Sequence, residues 1–118
     1  MIYFLKILLL SNLLFTATAM AEEESGDNAI RGKIVAGVRC GSCHHLHSTH
    51  MKVGPSLAGV FGRKPRIQGV PFNIWDVAAL QAWLVNPRQV KANTRMVLPK
   101  MSDRDRNDII AWLKSEVK

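Results

Sequence analysis

A chain of 118 residues is long enough for one small domain, and 47% of its residues are hydrophobic. It contains no internal repeat and no low-complexity segment, which excludes repeat arrays. A formal net charge of +7 indicates a basic surface, although that alone does not identify a partner.

The first 21 residues have the pattern of a secretory signal peptide. Lys6 precedes an apolar run, Ile7–Phe15, and Ala19–Ala21 has the small-x-small form of a cleavage site. Two polar residues interrupt the run, whereas a membrane anchor needs about 20 nearly unbroken apolar residues. We therefore predict a signal peptide at 1–21, a domain at 22–118, export to the periplasm and no stable membrane insertion after cleavage.

The first element of the predicted domain is a helix. Asn28 to about Arg39 can form it, and Asp27 or Asn28 can cap its beginning. Gly32 on this helix would allow a second helix to approach its backbone closely.

The most informative motif follows this helix directly. Cys40-Gly41-Ser42-Cys43-His44 places two thiols three positions apart and a histidine next to the second thiol. This is the attachment pattern of a c-type haem, in which both sulfurs bond to the vinyl groups on one porphyrin edge. His44 would then supply an imidazole nitrogen to the iron.

If only the residue types are considered, the two cysteines could serve other purposes. A disulfide between them would close a very small loop and stabilise little. A thioredoxin-like pair would follow a buried strand, which the residues before Cys40 do not resemble. A zinc site formed by Cys40, Cys43, His47 and His50 has suitable ligands, but the loop between the two pairs is shorter than a zinc finger usually needs.

Two further helices are predicted towards the carboxyl end, so that the fold class is all-α. Trp75 to Leu84 has apolar residues at helical spacing, and Pro87 should end this helix. Ser102 is a good cap for the last helix. The buried stripe of that helix is predicted to comprise Ile109, Ile110, Trp112, Leu113 and Val117.

Beyond the pentapeptide, three ordered blocks carry a family resemblance. They are Gly54–Lys64, then Trp75 with Trp83–Pro87, then Asn93–Met96 with Asp108–Lys114. With these blocks, the chain resembles class I c-type cytochromes over almost the whole of residues 22–118. The resemblance implies a small cytochrome c fold, with helices packed around one haem c that is attached covalently through Cys40 and Cys43.

The same resemblance implies roles for individual residues. The carbonyl of Pro55 would accept a hydrogen bond from the His44 imidazole, fixing its tautomer and raising its basicity. Trp75 and Thr94 would donate hydrogen bonds to the haem propionates. Arg63, in the proximal block, and Trp83, in the distal helix, would also contact the haem.

The second axial ligand is expected to be a methionine. Among the five methionines, Met96 and Met101 are the two candidates that sequence position allows, and core packing is the usual role of such a residue. The family resemblance favours Met96, which follows Thr94 in a turn-prone segment. Met101 instead fits an apolar contact at the start of the last helix.

Ligation by His44 and Met96 would leave the iron without an open position, which indicates an electron carrier and not an enzyme. The thioether would raise the reduction potential relative to ligation by two histidines. Two alternatives remain: a dedicated haem subunit of one oxidoreductase, and a five-coordinate haem protein with peroxidase or gas-binding activity.

Charge suggests the kind of partner. Eight basic residues fall in segments expected around the haem edge, where they would attract a redox protein with an acidic docking face. We expect no nucleic-acid binding, and a monomer or a subunit of a redox complex. The eight residues are Lys52, Arg63, Lys64, Arg66, Arg88, Lys91, Arg95 and Lys100.

Overall fold

A computed structural model describes residues 17–118, with side chains from residue 28 onwards. It contains four helices: α1 (Ala17–Arg39), α2 (Val77–Val85), α3 (Pro87–Val90) and α4 (Asp103–Ser115). The described part contains no β-strand. The predicted all-α class is therefore confirmed.

Helix α1 begins earlier than the sequence predicts, at Ala17 instead of Asn28. The intervening residues are mostly alanine, methionine and glutamate, which are strong helix formers, so that no cap is needed near Asn28. The predicted signal segment lies outside the described residues as far as residue 16, and its last residues form the start of α1. Within the described residues, no helix is long and apolar enough to cross a membrane.

The main contact of the fold is between α1 and α4. A Cβ atom added to Gly32 would lie 1.8 Å from the backbone oxygen of Asp108, so the two backbones meet where α1 has no side chain. Ala36, Ile109 and Trp112 are almost completely buried in the same core. The close approach predicted at Gly32 is thus observed.

Ion pairs reinforce this crossing. The guanidinium of Arg31 donates to the carboxylate of Asp108 and, at 2.7 Å, to that of Asp105. Arg39 lies 3.6 Å from Asp105 as well. The side chain of Asp108 is only 5% exposed, so its charge depends on the Arg31 contact for compensation.

Helices α2 and α3 meet at a shared boundary residue. Asp76 caps α2, because its carboxylate accepts a hydrogen bond from the backbone N–H of Ala79 at 2.8 Å. Asn86 ends α2 and also caps α3, and Pro87 is the first residue of α3. The sequence predicts the end of α2 near Pro87 but not the short helix that follows.

Helix α4 begins as predicted and ends earlier than its apolar pattern suggests. The hydroxyl of Ser102 accepts a hydrogen bond from the backbone N–H of Asp105 at 3.1 Å. The predicted buried stripe is found, with the exception of Val117. That residue lies beyond the end of the helix and is 47% exposed, because the stripe stops with the helical geometry that creates it.

Candidate functional site

A cavity of about 540 Å³ lies between the segment after α1, helix α2, helix α4 and the segment that joins α3 to α4. Its volume is in the range of small-molecule and cofactor sites. All nine site residues that the sequence suggests line this one cavity: Cys40, Cys43, His44, Pro55, Arg63, Trp75, Trp83, Thr94 and Met96.

The two cysteines occupy a helical turn that continues α1. The backbone N–H of Cys40 donates to Ala36 at 2.8 Å, and those of Cys43 and His44 both donate to the carbonyl of Cys40. Neither cysteine is in a disulfide; Cys40 is buried and Cys43 is exposed. Burial in the apolar wall raises the pKa of the Cys40 thiol.

His44 is fixed by a contact to the backbone of the next segment. Its Nδ1 atom lies 2.6 Å from the carbonyl oxygen of Pro55. A carbonyl can only accept, so Nδ1 carries the proton and Nε2 keeps a free lone pair for a metal. Gly54 makes this arrangement possible, because a Cβ atom there would lie 2.4 Å from Cε1 of the imidazole.

Met96, which also lines the cavity, is held by two polar contacts. Its backbone N–H donates to the hydroxyl of Thr94 at 3.2 Å, and its sulfur accepts a hydrogen bond of 3.1 Å from the indole Nε1 of Trp83. The rival candidate, Met101, lies outside the lining and is 4% exposed in the hydrophobic core.

Arg63 brings a cation into the wall of the cavity. Its two terminal nitrogens donate to the carbonyls of Ala58 and Ser56, at 3.1 and 3.4 Å. Its Nε atom is buried and has no hydrogen-bond partner among the described residues. Burial and the neighbouring charge of Arg66 lower the pKa of the Arg63 guanidinium. An anionic group in the cavity would satisfy both this donor and this charge.

These donors fit a haem. Two thiols, an imidazole nitrogen and a thioether sulfur share a cavity with an unpaired guanidinium N–H, which suits a propionate carboxylate. The remaining lining is largely apolar, as a porphyrin face requires. Eight apolar wall residues were not predicted to belong to the site, and only the four on helices have an apolar spacing that marks them as core. They are Leu80, Leu84, Ile109 and Leu113 on helices, and Leu57, Val60, Ile67 and Leu98 in the irregular segments.

The zinc alternative is not supported by the geometry. His47 and His50 lie outside the cavity lining, and His50 pairs with the hydroxyl of Ser48 at 2.7 Å. His47 packs edge-on against Trp112 at 6.2 Å between ring centroids. Among the described residues, no group of three or more histidine, cysteine or acidic side chains could hold a metal ion.

Four of the eight basic residues expected around the haem edge lie in the wall of this cavity. Arg63, Arg66, Lys91 and Arg95 line the cavity itself. Within residues 28–118, the carboxylates that form ion pairs do so with the arginines of α1 and α4 and with His47. None of the eight basic residues expected around the haem edge is among these pairs.

Comparisons with known proteins agree with the motif and the cavity. The family model described as Cytochrome c matches residues 29–116. Cytochrome c2 of Pararhodospirillum photometricum is 33% identical, over 75% of this chain and 96% of that protein. Cytochrome c of Cochliobolus lunatus is also 33% identical, over 80% of this chain and 97% of that protein. Cytochrome c type-1 of Ascaris suum is 32% identical, over 84% and 96%.

Proposed function

Since this chain belongs to the cytochrome c family, we propose that it carries single electrons between redox proteins of the periplasm, with its iron held between His44 and Met96. It is a haem c protein of the electron-transfer type and not an enzyme. When bound, the haem supplies a one-electron iron couple. Cys40 and Cys43 are the only cysteines in the chain, so both thioether bonds form there.

The observation that carries the axial-ligand proposal is the presence of His44 and Met96 on the walls of one cavity with both cysteines. The Pro55 carbonyl holds the His44 proton on Nδ1, so Nε2 is the atom available to iron. Donation to this carbonyl also makes the imidazole a stronger electron donor.

Met96 would fill the remaining position with a soft sulfur. Because both positions are then taken by side chains, oxygen and peroxide have no place to bind. The same two side chains would stay bound in both oxidation states, so the structure would reorganise little when an electron moves. A thioether favours the reduced iron, which raises the potential.

Arg63 would hold the propionate edge. Its buried Nε atom lacks a partner among the described residues, and a carboxylate there would pair with a desolvated cation. Trp75 and Thr94, on the same lining, are proposed as further donors to these carboxylates.

Docking would use the basic surface around the cavity. An acidic partner would be attracted to this surface and oriented with its own redox group towards the haem edge. Purification from the native host separates a free carrier from a dedicated subunit, because only the subunit would copurify with a catalytic chain.

Export is proposed from residues 1–21. Mass spectrometry of the mature protein from the periplasmic fraction should give a chain that begins at Glu22 and carries one haem. A cytoplasmic protein that retains residue 1 would contradict this part of the proposal.

Optical spectroscopy tests the ligand set. The oxidised protein should show the near-infrared absorption band of methionine bound to ferric iron, and the reduced protein should not bind carbon monoxide at neutral pH. Met96→Ala should abolish the band and open the iron to carbon monoxide, whereas Met101→Leu should leave both properties unchanged. Tight carbon monoxide binding by the unaltered protein would favour the five-coordinate alternative instead.

A further inference from the structure

Arg106 joins three parts of the fold that meet beside the Met96 segment. Its Nε donates to the side-chain oxygen of Gln81 in α2 at 3.2 Å. One terminal nitrogen donates to the backbone carbonyl of Met101 at 3.0 Å, and the other donates to the carboxylate of Asp103 in the first turn of α4. The side chain is only 15% exposed.

These bonds link Arg106 to the two elements that hold Met96. Gln81 lies two residues before Trp83 on α2, and the Trp83 indole donates to the sulfur of Met96. Met101 ends the segment that begins at Met96, five residues later. Arg106 therefore binds both the helix that holds the Met96 sulfur and the far end of the chain segment that carries it.

The two residues that anchor the Met96 segment, Trp83 and Met101, are buried. Met101 is 4% exposed and Trp83 is 7% exposed, so both pack in the core, and Arg106 joins their two elements through Gln81 and the Met101 carbonyl. Between them, Val97 is 73% exposed and the segment has no regular secondary structure. The position of Met96 thus depends on its two anchors together with the packing of the half-buried Met96 and Leu98 against the core.

We propose that Arg106 is a positioning residue for Met96: it fixes the distance between α2 and the end of the Met96 segment, and so keeps the thioether in place. This inference rests on the proposed role of Met96 as an iron ligand. An arginine is required because its rigid fork serves three acceptors at once, while a lysine offers one compact charge.

Imidazole added to the oxidised holoprotein measures this function directly. Imidazole can bind iron only when Met96 has left, so its apparent affinity is the intrinsic affinity multiplied by the fraction of molecules in which Met96 is displaced. Loss of the near-infrared band reports the binding. The test compares Arg106→Gln and Arg106→Lys with the unaltered protein.

Two further variants serve as controls. Arg104→Gln removes the same charge from the same helix, but its side chain is 73% exposed and approaches only Asp108, at 3.9 Å. Ile110→Val removes a methylene from the core outside the cavity lining, and so lowers global stability while the hydrogen bonds of Arg106 stay in place.

We expect Arg106→Gln to raise the imidazole affinity about tenfold, which equals ~1.4 kcal/mol. Arg106→Lys, which keeps the charge and can keep one hydrogen bond, should show an intermediate rise and remains informative if the glutamine variant does not fold. Arg104→Gln and Ile110→Val should bind imidazole as the unaltered protein does.

The outcomes are distinguishable. If the unaltered protein shows the band but neither Arg106 variant changes the imidazole affinity, the positioning role is wrong. An equal rise in Ile110→Val would also refute it, because the effect would then follow global stability. If the unaltered protein lacks the band, the proposed ligand set itself is wrong, and the role of Arg106 fails with it.

Discussion

The indole Nε1 of Trp83 donates a hydrogen bond of 3.1 Å to the sulfur of Met96. An indole N–H can only donate, so this hydrogen bond withdraws electron density from the thioether sulfur. Trp83 is buried and packs edge-on against Trp75 at 5.6 Å between ring centroids, which holds the donor in one orientation.

Replacing Trp83 with phenylalanine keeps an aromatic ring and removes this donor. If Met96 binds the iron as proposed, its sulfur then becomes a better electron donor, which stabilises ferric iron and lowers the midpoint potential. A hydrogen bond contributes about 0.5–1.5 kcal/mol, so the decrease should be at most about 60 mV for a one-electron couple. Potentiometric titration of the holoprotein checks this.

Trp112→Phe is the matched control for this change. The Trp112 indole donates to the carboxylate of Glu116 at 3.1 Å, and Trp112 lies outside the cavity lining. Its loss removes a comparable hydrogen bond that does not involve Met96, so the midpoint potential should stay constant. An equal decrease in both variants would indicate a general change in the fold.

Gly32→Ala should destabilise the holoprotein strongly. The added Cβ atom would overlap the carbonyl of Asp108 at 1.8 Å, and backbone atoms cannot yield as a flexible side chain can. Gly37→Ala is the control on the same helix, because a Cβ there meets nothing within 4 Å. It should stabilise the protein by about 0.5–1 kcal/mol. Urea unfolding of the two variants should therefore give shifts of opposite sign.

The predictability of the fold differs between local and tertiary features. The Ser102 cap and the close approach at Gly32 follow from local chemistry, and the sequence predicts both. The start of α1 was misplaced because good helix formers extend it past every candidate cap. The Trp83–Met96 bond has no local signature, since its partners are brought together only by the path of the chain around the cavity.

Site residues show the same division. The spacing of the two cysteines and His44 identifies them as a haem attachment motif, whereas only the family resemblance favours Met96 over Met101 as the second ligand. Arg106 could not have been identified from sequence, because an arginine on an amphipathic helix is typical of an exposed face. Its role depends on three acceptors that α2, α4 and the Met96 segment supply.

Acid should weaken the contact between α1 and α4. The hydrogen bond from Arg31 is the main reason that the pKa of Asp105 lies below its ordinary value of 3.8. Because the pKa of Asp105 is lower in the folded protein, its ion pair stabilises the fold fully when the pH is above the ordinary pKa. This stabilisation is lost as the pH falls through the lower pKa of the folded state.

Arg31→Gln should therefore reduce the free energy of unfolding at pH 7, and the difference from the unaltered protein should shrink below about pH 4. Urea unfolding at several pH values measures it. Arg104→Gln, which removes an exposed charge 3.9 Å from Asp108, should change little at any pH. A difference for Arg31→Gln that is independent of pH would exclude the carboxylates as its cause.

Electron transfer to an acidic redox partner should slow as salt is added, because salt screens the attraction between the partner and the basic surface. Arg66→Glu should reduce the second-order rate constant at low ionic strength, since Arg66 lines the cavity. Lys114→Glu changes the net charge equally, but in the last turn of α4 outside the lining, and should have a smaller effect. Equal effects would point to net charge alone and not to a docking surface.

Removal of the haem should unfold most of the domain. Residues from α1, α2, α4 and the intervening segments line the cavity, so their largely apolar side chains would lose their partner if the haem were absent. Without the haem, this largely apolar lining would be exposed to water, which disfavours the folded state.

A variant with Cys40→Ala and Cys43→Ala, prepared without haem, tests this expectation. Its far-ultraviolet circular dichroism should show much less helix than the holoprotein, and its urea unfolding should lose cooperativity. The α1–α4 crossing is the part best able to survive. Gly32, Ala36 and Trp112 lie outside the cavity lining, so the packing of the two helices against each other there does not depend on the haem. Full helix content in the haem-free chain would show that this crossing and its ion pairs stabilise the domain by themselves.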